Sequence, residues 1–345
     1  MKNLNISDVA RLANVSTTTV SRYLNGKYQY MSAETQAIIR DTIQKYGYRP
    51  SQVARSLKTK KSNLIAIVCP GVTVQSSPLF LQGVDGFLQN INFDYVVLSS
   101  GSDFSRECNC LDRCLDLSVD GILYSPACEN IEKAIEVNNS GIPVVLFDRF
   151  IEKWSYSGVY VNHAGIVNCM LEELCKRGYK DIRLLAGTYQ SPDTRYQREQ
   201  IFLKYVSEHK GSGGDKQIEI LRFKRGNMMQ ESVTNVIEQY LKEESAGSRA
   251  LFAVDMQTLH AVMQAREQLH FNIPGDFALC GYDSQDYSNL MSPKITYIEQ
   301  PFYEMGYEAA KMLVEHIENK KVRSRHTVWI EGTIHFGEST PECGR

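Results

Sequence analysis

A chain of 345 residues with 43% hydrophobic content has room for two or three folded domains. Its net charge of −2 hides a division: residues 1–62 carry eleven Lys and Arg against Asp8, Glu34 and Asp41, a net +8, which leaves −10 for the rest. There is no apolar run of 18 or more residues and no apolar N-terminal segment, so the expectation is a cytoplasmic protein with no membrane partner.

A basic head on an acidic body is the electrostatic footprint of a nucleic-acid reader. Within the head, Ile6, Val9, Ala10, Leu12 and Ala13 set small and branched apolar groups on one face of a first helix. Ser7 is placed to cap it, with Asp8 in the first turn against the positive end of the helix dipole. Ala13-Asn14-Val15 breaks the period, and Asn tolerates the left-handed conformation that a three-residue turn needs. Ser16 then caps a second helix, Thr17 to Leu24, closed by Asn25-Gly26. Val15, Val20 and Leu24 face the first helix, which turns Thr17, Thr18, Ser21 and Arg22 outward. Such a face suits the major groove: Arg forks onto guanine, and Thr offers a hydroxyl or a methyl. A third helix is expected from Ala33 to Lys45, capped by Ser32 and stopped by Gly47, with Ala37, Ile38, Ile43 and Tyr46 closing a three-helix core. Pro50 is well placed to begin a short helix, Ser51 to Leu57, which is too short to persist alone. Leu57 stands out there on a surface of Ala, Ser, Gln and Arg, and Lys58, Lys60 and Lys61 suit phosphates.

From Leu64 the texture changes. LIAIVCP reads as a buried parallel strand, followed by helices at 79–90, 107–117 and 131–140 and strands at 93–100, 121–126 and 142–148. The rhythm then restarts, with helices at 164–177, 198–209, 229–244 and 257–270 and strands at 181–187, 217–223, 249–254, 277–283 and 295–301. A last helix at 303–319 precedes one closing strand at 326–336. This alternation argues two doubly wound α/β lobes with parallel sheets. GSGGDK (211–216) lacks phosphate-loop spacing and implies no nucleotide. Nine scattered Cys lack C-x-x-C spacing, and Cys108, Cys110 and Cys114 read as free thiols on an amphipathic helix, so no metal is expected.

In open α/β sheets, ligands bind beyond the carboxyl ends of the strands. Those ends are Pro70 to Pro78 (with Ser77), Ser125, Asp148-Arg149, Thr188 to Arg198, Asp255 and Asp283. Carboxylates and planar guanidinium groups matched to hydroxyls grip a sugar. Arg149, Arg195 and Arg198 favour a sugar acid or sugar phosphate, whereas Asp148, Asp255 and Asp283 favour a neutral polyol; the residues leave that choice open.

VSTTTVSRYLNG (15–26), SAET (32–35) and YRPSQVARSLKTKKS (48–62) resemble the DNA-binding headpiece of the lactose-repressor (LacI/GalR) family of bacterial regulators, and the resemblance runs over almost the whole chain. It implies an all-α helix-turn-helix headpiece at 1–49, a hinge helix and linker at 50–62, and an effector-binding and dimerisation domain at 63–340. That domain would have the type I periplasmic-binding-protein fold, with lobe 1 at about 63–161 and 296–322 and lobe 2 at about 162–295 and 323–340. The resemblance puts Thr17 and Thr18 at positions that set operator preference, and Ser16, Thr19, Ser21, Arg22 and Asn25 at backbone- and base-contacting positions. It makes Ser51, Ala54, Arg55 and Leu57 part of a hinge that folds when two copies meet in the minor groove, with Leu57 wedged between base pairs. It puts Asp148, Arg198, Asp255 and Asp283 at ligand-contact positions, and Gln300 and Phe302 near the crossover between lobes. Two departures stand out: the family often has Asn-Asp where this chain has Asp255-Met256, and Gly three residues beyond the pocket Arg where Ile201 stands.

The implied function is a sequence-specific repressor of carbohydrate-utilisation genes, bound as a homodimer to an inverted-repeat operator in double-stranded DNA and controlled by a small carbohydrate-like effector. IHFGESTPECGR at the end shows no heptad for further assembly. A sugar-transport receptor shares the fold but does not explain the headpiece. An enzyme is disfavoured, since G-x-S-x-G, H-E-x-x-H and P-loop motifs are lacking and His163 and His260 stand apart; no catalytic residue and no cofactor is expected.

Overall fold

The computed structural model describes residues 4–48, 61–72, 76–190, 193–209, 217–244, 247–283, 288, 290–319 and 325–343. It divides into two compact units, one running to Asn63 and including 118–120, the other formed by Leu64–Leu117 and Gly121–Arg345. The hinge helix expected at 51–57, with Ser51, Ala54, Arg55 and Leu57, and the loop at 211–216 lie outside the described residues.

The N-terminal unit holds α1 (Ile6–Leu12), α2 (Thr17–Leu24), a 3-10 turn (Tyr28–Tyr30) and α3 (Ala33–Tyr46). Val9, Ala10, Ala13, Val20 and Ile39 form its centre, with Ile6, Val15, Leu24, Met31 and Ile43 packed around them. The first cap differs from expectation. Asn5, not Ser7, accepts the Asp8 amide at 3.0 Å, and Asp8 returns the bond to the Asn5 amide at 3.1 Å, a reciprocal box that satisfies two orphan donors. Asn14 takes the left-handed conformation (φ 51°) that the turn requires. The apolar face of α3 is also rotated from the expected one: Ile39 and Thr42 are buried, whereas Ile38 and Tyr46 are exposed. Gly47 ends α3 in the left-handed region (φ 61°) as expected.

The body contains two six-stranded sheets. The first has the order β11-β5-β4-β3-β1-β2, from β1 (Leu64–Cys69), β2 (Asp94–Ser99), β3 (Gly121–Tyr124), β4 (Val144–Phe147), β5 (Gly158–Val161) and β11 (Thr327–Ile330). Its pairs are all parallel. The second has the order β12-β10-β9-β8-β6-β7, from β6 (Asp181–Ala186), β7 (Gln217–Arg222), β8 (Arg249–Ala253), β9 (Ala278–Tyr282), β10 (Thr296–Glu299) and β12 (Thr333–His335), with only β12 antiparallel.

Helices α4 (Ser76–Leu88), α5 (Phe104–Asp116) and α6 (Glu132–Asn139) serve the first lobe, and α7 (His163–Lys176), α8 (Thr194–Glu208), α9 (Met229–Lys242) and α10 (Met256–Leu269) the second. The last helix, α11 (Phe302–Glu318), returns to the first lobe and packs on α4. Strand alternation sorts the second lobe into two cores. Ile182, Leu184, Ala186, Ala250 and Phe252 face α7 and α8, whereas Leu185, Leu251, Ala253 and Leu279 face α9 and α10.

Three expectations need correction. The strand at 158–161 was not foreseen, because four residues between polar segments carry too short an apolar signal. The closing strand is two: β11 joins the first sheet and β12 the second, separated by Glu331-Gly332. Consequently 296–299 belongs to the second lobe and 327–330 to the first, the reverse of the boundaries drawn at 296 and 323. Hydrogen-bond pairing decides lobe membership, and β10 pairs with β9 while β11 pairs with β5.

Candidate nucleic-acid interface and ligand cleft

The outer face of α2 is built by its cap. Ser16 Oγ accepts the Thr19 amide at 3.1 Å and lies 2.8 Å from Thr19 Oγ1. At the other end, Asn25 Nδ2 donates to the Ser21 carbonyl at 2.7 Å, so both ends of the helix are tied by their own side chains. Ser16, Thr17, Thr18, Arg22 and Asn25 are exposed, and Thr19 and Ser21 are half-buried. The sequence reading overlooked Tyr30, whose ring lies 4.9 Å beneath the Arg22 guanidinium and limits the directions that Arg22 can take.

A cleft of about 350 Å³ opens in the body beyond the carboxyl ends of the strands, where side chains from both lobes meet. The first lobe supplies an apolar floor, including Ile67, Phe80, Phe147 and Phe302, with the Phe80 and Phe147 rings stacked at 4.1 Å. Ser77, Ser125, Asp148 and Arg149 add polar groups from the same lobe, and Arg195, Arg225 and Gln257 come from the second. Asp148 follows β4 in the left-handed region (φ 64°), which turns its carboxyl off the strand. Loss of water raises its pKa, opposed by the charges of Arg149 and Arg198.

Of the expected ligand residues, Ser77, Asp148 and Phe302 line this cleft, whereas Arg198, Asp255, Asp283 and Gln300 are held by protein groups and do not line it. Arg198 is buried. Its Nη1 donates to the Val254 carbonyl at 2.9 Å, its Nη2 to Gln300 Oε1 at 2.8 Å, and its guanidinium lies 3.7 Å from the centre of the Tyr282 ring. Gln300 completes the chain, donating from Nε2 and, at 3.2 Å, from its backbone amide to the Asp283 carboxylate. Burial pushes the Asp283 carboxyl up to about 6, against the pull of Arg198 and Gln300.

Asp255 caps α10 by accepting from the Thr258 amide at 2.8 Å and its hydroxyl at 2.6 Å. It also accepts from Arg195 Nη1 at 3.2 Å. Arg195 forks onto Asp193 at 2.8 and 2.7 Å. Burial alone would raise the Asp193 pKa, but that fork outweighs it and brings the carboxyl to about 2.

Gln257 and Ser102 line the cleft without having been singled out from sequence, and so does Arg225. It sits three residues past β7, so the strand-end rule pointed to it, but the carboxyl end of β7 was not considered. Among the described residues no metal-binding group of His, Cys, Asp or Glu occurs, and no helix is long and apolar enough to cross a membrane.

Residues 5–51 match the bacterial regulatory proteins of the lacI family, and residues 171–340 match the periplasmic binding protein-like domain. The HTH-type transcriptional regulator KdgR of Bacillus subtilis (strain 168) is 28% identical over 317 residues, 92% of each chain. In fold, the chain superimposes on the lac repressor dimer bound to operator and the anti-inducer ONPF with a TM-score of 0.81, at 19% identity over 99% of this chain and 100% of that one. A transcriptional regulator CelR–cellobiose complex gives 0.67, at 21% identity over 97% and 99%. The N-terminal match, the body match and the near full-length relatives agree: the chain joins a lacI-family DNA-binding region to a periplasmic binding protein-like body, and its homologues are LacI/GalR-type regulators.

Proposed function

We propose that this protein is a sequence-specific transcriptional regulator, a repressor of carbohydrate-utilisation genes, whose hold on double-stranded DNA is set by a small sugar or sugar acid bound between the lobes of its body. One observation carries the reading: a capped helix that presents Thr17, Thr18 and Arg22 to solvent shares a chain with a body that has a polar-rimmed, apolar-floored cleft. Several of its relatives are named HTH-type transcriptional regulators.

In this reading α2 enters the major groove. Arg22 reads a base edge, Thr17 and Thr18 set preference, and Ser16, Thr19, Ser21 and Asn25 hold backbone contacts. Two copies form a homodimer on an inverted repeat. The segment 50–62, with Ser51, Ala54, Arg55 and Leu57, is assigned to the minor groove between the half-sites. Effector binding at Asp148 and its neighbours changes the relation of the lobes, and so the free energy of ordering that segment on DNA. Arg198, Gln300 and Asp283 serve as the polar joint behind the cleft, and Asp255 holds Arg195 in place. Metal and cofactor have no part in this scheme.

The test is a fluorescence-anisotropy titration of the full chain on duplexes selected from a random pool, repeated with sugars and sugar acids present. The expected result is a tight, salt-sensitive complex with an inverted-repeat consensus, whose affinity changes when the right compound is added. Equal affinity for every duplex, indifferent to salt and to every compound, would overturn the reading.

A further inference from the structure

The charges around the cleft are not balanced alike. Arg195 is neutralised by Asp193 and Asp255, and Arg149 lies 3.9 Å from Asp193 while donating to the Pro126 carbonyl at 3.0 Å. Arg225 differs from both: among the described residues no carboxylate pairs with it, although it lines the cleft. It is nevertheless held in place. Its guanidinium lies 4.6 Å from the centre of the Tyr189 ring, over which Arg195 also sits at 4.7 Å. Its stem crosses Gly187, where an added Cβ would come within 2.6 and 2.8 Å of the Arg225 Cγ and Cδ. Gly187 and Tyr189 thus form a seat that aims an uncompensated cation into the cleft from the second lobe.

Among the described residues, the three arginines face a single lining carboxylate, Asp148, which comes from the first lobe. A neutral polyol gives Arg225 no charge to meet, whereas a ligand with an anion at one end and hydroxyls at the other matches both rims. A cleft of about 350 Å³ is at the small end of ligand pockets, which favours a single sugar unit over an oligosaccharide. Resting on the effector reading above, we infer that the effector is a monosaccharide-sized compound with a carboxylate or phosphate group, and that Arg225 is the residue that selects the anion. The anion lies against Arg225 with Arg149 and Arg195 beside it, the hydroxyls reach Asp148 and Ser125, and the carbon skeleton rests on Phe80 and Phe147. Arg accepts carboxylate and phosphate oxygens in the same forked geometry, so both sources stay within the inference.

The experiment is calorimetric titration of the full chain with D-glucose and D-galactose, then D-gluconate, D-glucuronate and D-galacturonate, then D-glucose 6-phosphate and D-gluconate 6-phosphate. At least one anionic compound should bind ten or more times tighter than its neutral parent, and the acid and phosphate arms tell which anion is used. Arg225→Gln should bring the affinity for the anionic compound down at least tenfold toward that of its neutral parent, Arg225→Lys should keep part of the difference, and Gly187→Ala should weaken it by displacing the Arg225 stem. Neutral sugars binding as tightly as their acids, no anionic probe binding, or Arg225→Gln weakening neutral and anionic ligands alike would each overturn the inference. A neutral sugar that binds and alters DNA affinity would sink this inference and leave the regulator reading standing. If no compound, neutral or anionic, binds or alters DNA affinity, the effector reading itself fails.

Discussion

Asp283 follows β9 in the left-handed region (φ 53°) and faces Arg198, Gln300 and, more distantly, Asp148. Because its carboxyl is pushed up to about 6, the folded state holds that proton more tightly than the unfolded chain does. Its contribution to stability is therefore full below the ordinary carboxylate range and is lost as pH rises through 6. Asp283→Asn removes the titration, so the melting temperature of the variant minus that of the parent should grow as pH goes from 5 to 7. A difference that stays flat across that range, read by calorimetry, would disprove the assignment. The comparison is with the parent at each pH because His163 runs the other way. Burial holds its imidazole well below the usual value, so its contribution falls as the solution becomes acidic. At the other site, Arg22→Ala should weaken binding to a selected duplex by roughly 10- to 100-fold and relax preference at one base pair, as expected for a lost forked contact. Ser77 and Asp148 were legible as cleft residues because the end of a strand fixes where its next side chains can go, and Phe302 only through the family resemblance. Arg225 was not, since its aim depends on Gly187 and Tyr189, which lie more than thirty residues away in sequence. Arg198, Gln300 and Asp283 were singled out as ligand contacts, whereas they bond one another and do not line the cleft, which sequence alone does not say.

At the scale of elements, α4 and α11 show how a pair of glycines sets a helix crossing. A Cβ on Gly83 would overlap the Tyr303 carbonyl, and one on Gly306 would overlap the Phe80 carbonyl, so each helix lays its backbone into the gap the other leaves. Phe80 lines the cleft and stacks on Phe147, which places this crossing directly behind the apolar floor. Gly306→Ala must push the helices apart and should destabilise the body by about 1–3 kcal/mol, the usual range for overpacking. A thermal melt monitored by circular dichroism checks it, and an unchanged midpoint would show that the crossing yields without strain. Elements with continuous apolar runs, such as Leu64–Cys69 and Val144–Phe147, were legible because both faces of the sheet are covered. The start of α1 was misread at Ser7 because Asn and Ser are comparable caps; the reciprocal bond with Asp8 favours Asn5, whose spacing to Asp8 is the one a capping box requires. The split of 326–336 escaped notice because Glu331-Gly332 interrupts the strand without lengthening the loop.

For the whole molecule, the first 62 positions carry a net positive charge while the remainder is net acidic. Operator affinity should therefore fall steeply with salt, and Lys60→Gln with Lys61→Gln should reduce the slope of log K against log salt by roughly 1–2 without changing sequence preference. A slope that does not move would take both lysines off the phosphates. The linkage proposed between cleft and DNA is reciprocal: whatever factor an effector imposes on DNA affinity, DNA must impose on effector affinity.

The chain passes between the two lobes three times, near Asn162, near Gln300 and at Glu331-Gly332. β11 lies beside β5 and β12 beside β10, so the third passage runs between the other two, and Asn162 Nδ2 donates to Glu331 Oε1 at 2.8 Å. The halves are thus tied by three threads, the second running opposite to the first and third. A protease site engineered at Glu331-Gly332 and then cut should release the short C-terminal piece only on denaturation, as read by mass spectrometry, since β12 stays paired with β10 and Thr296 stays bonded to Thr340, while the two uncut threads still join the halves.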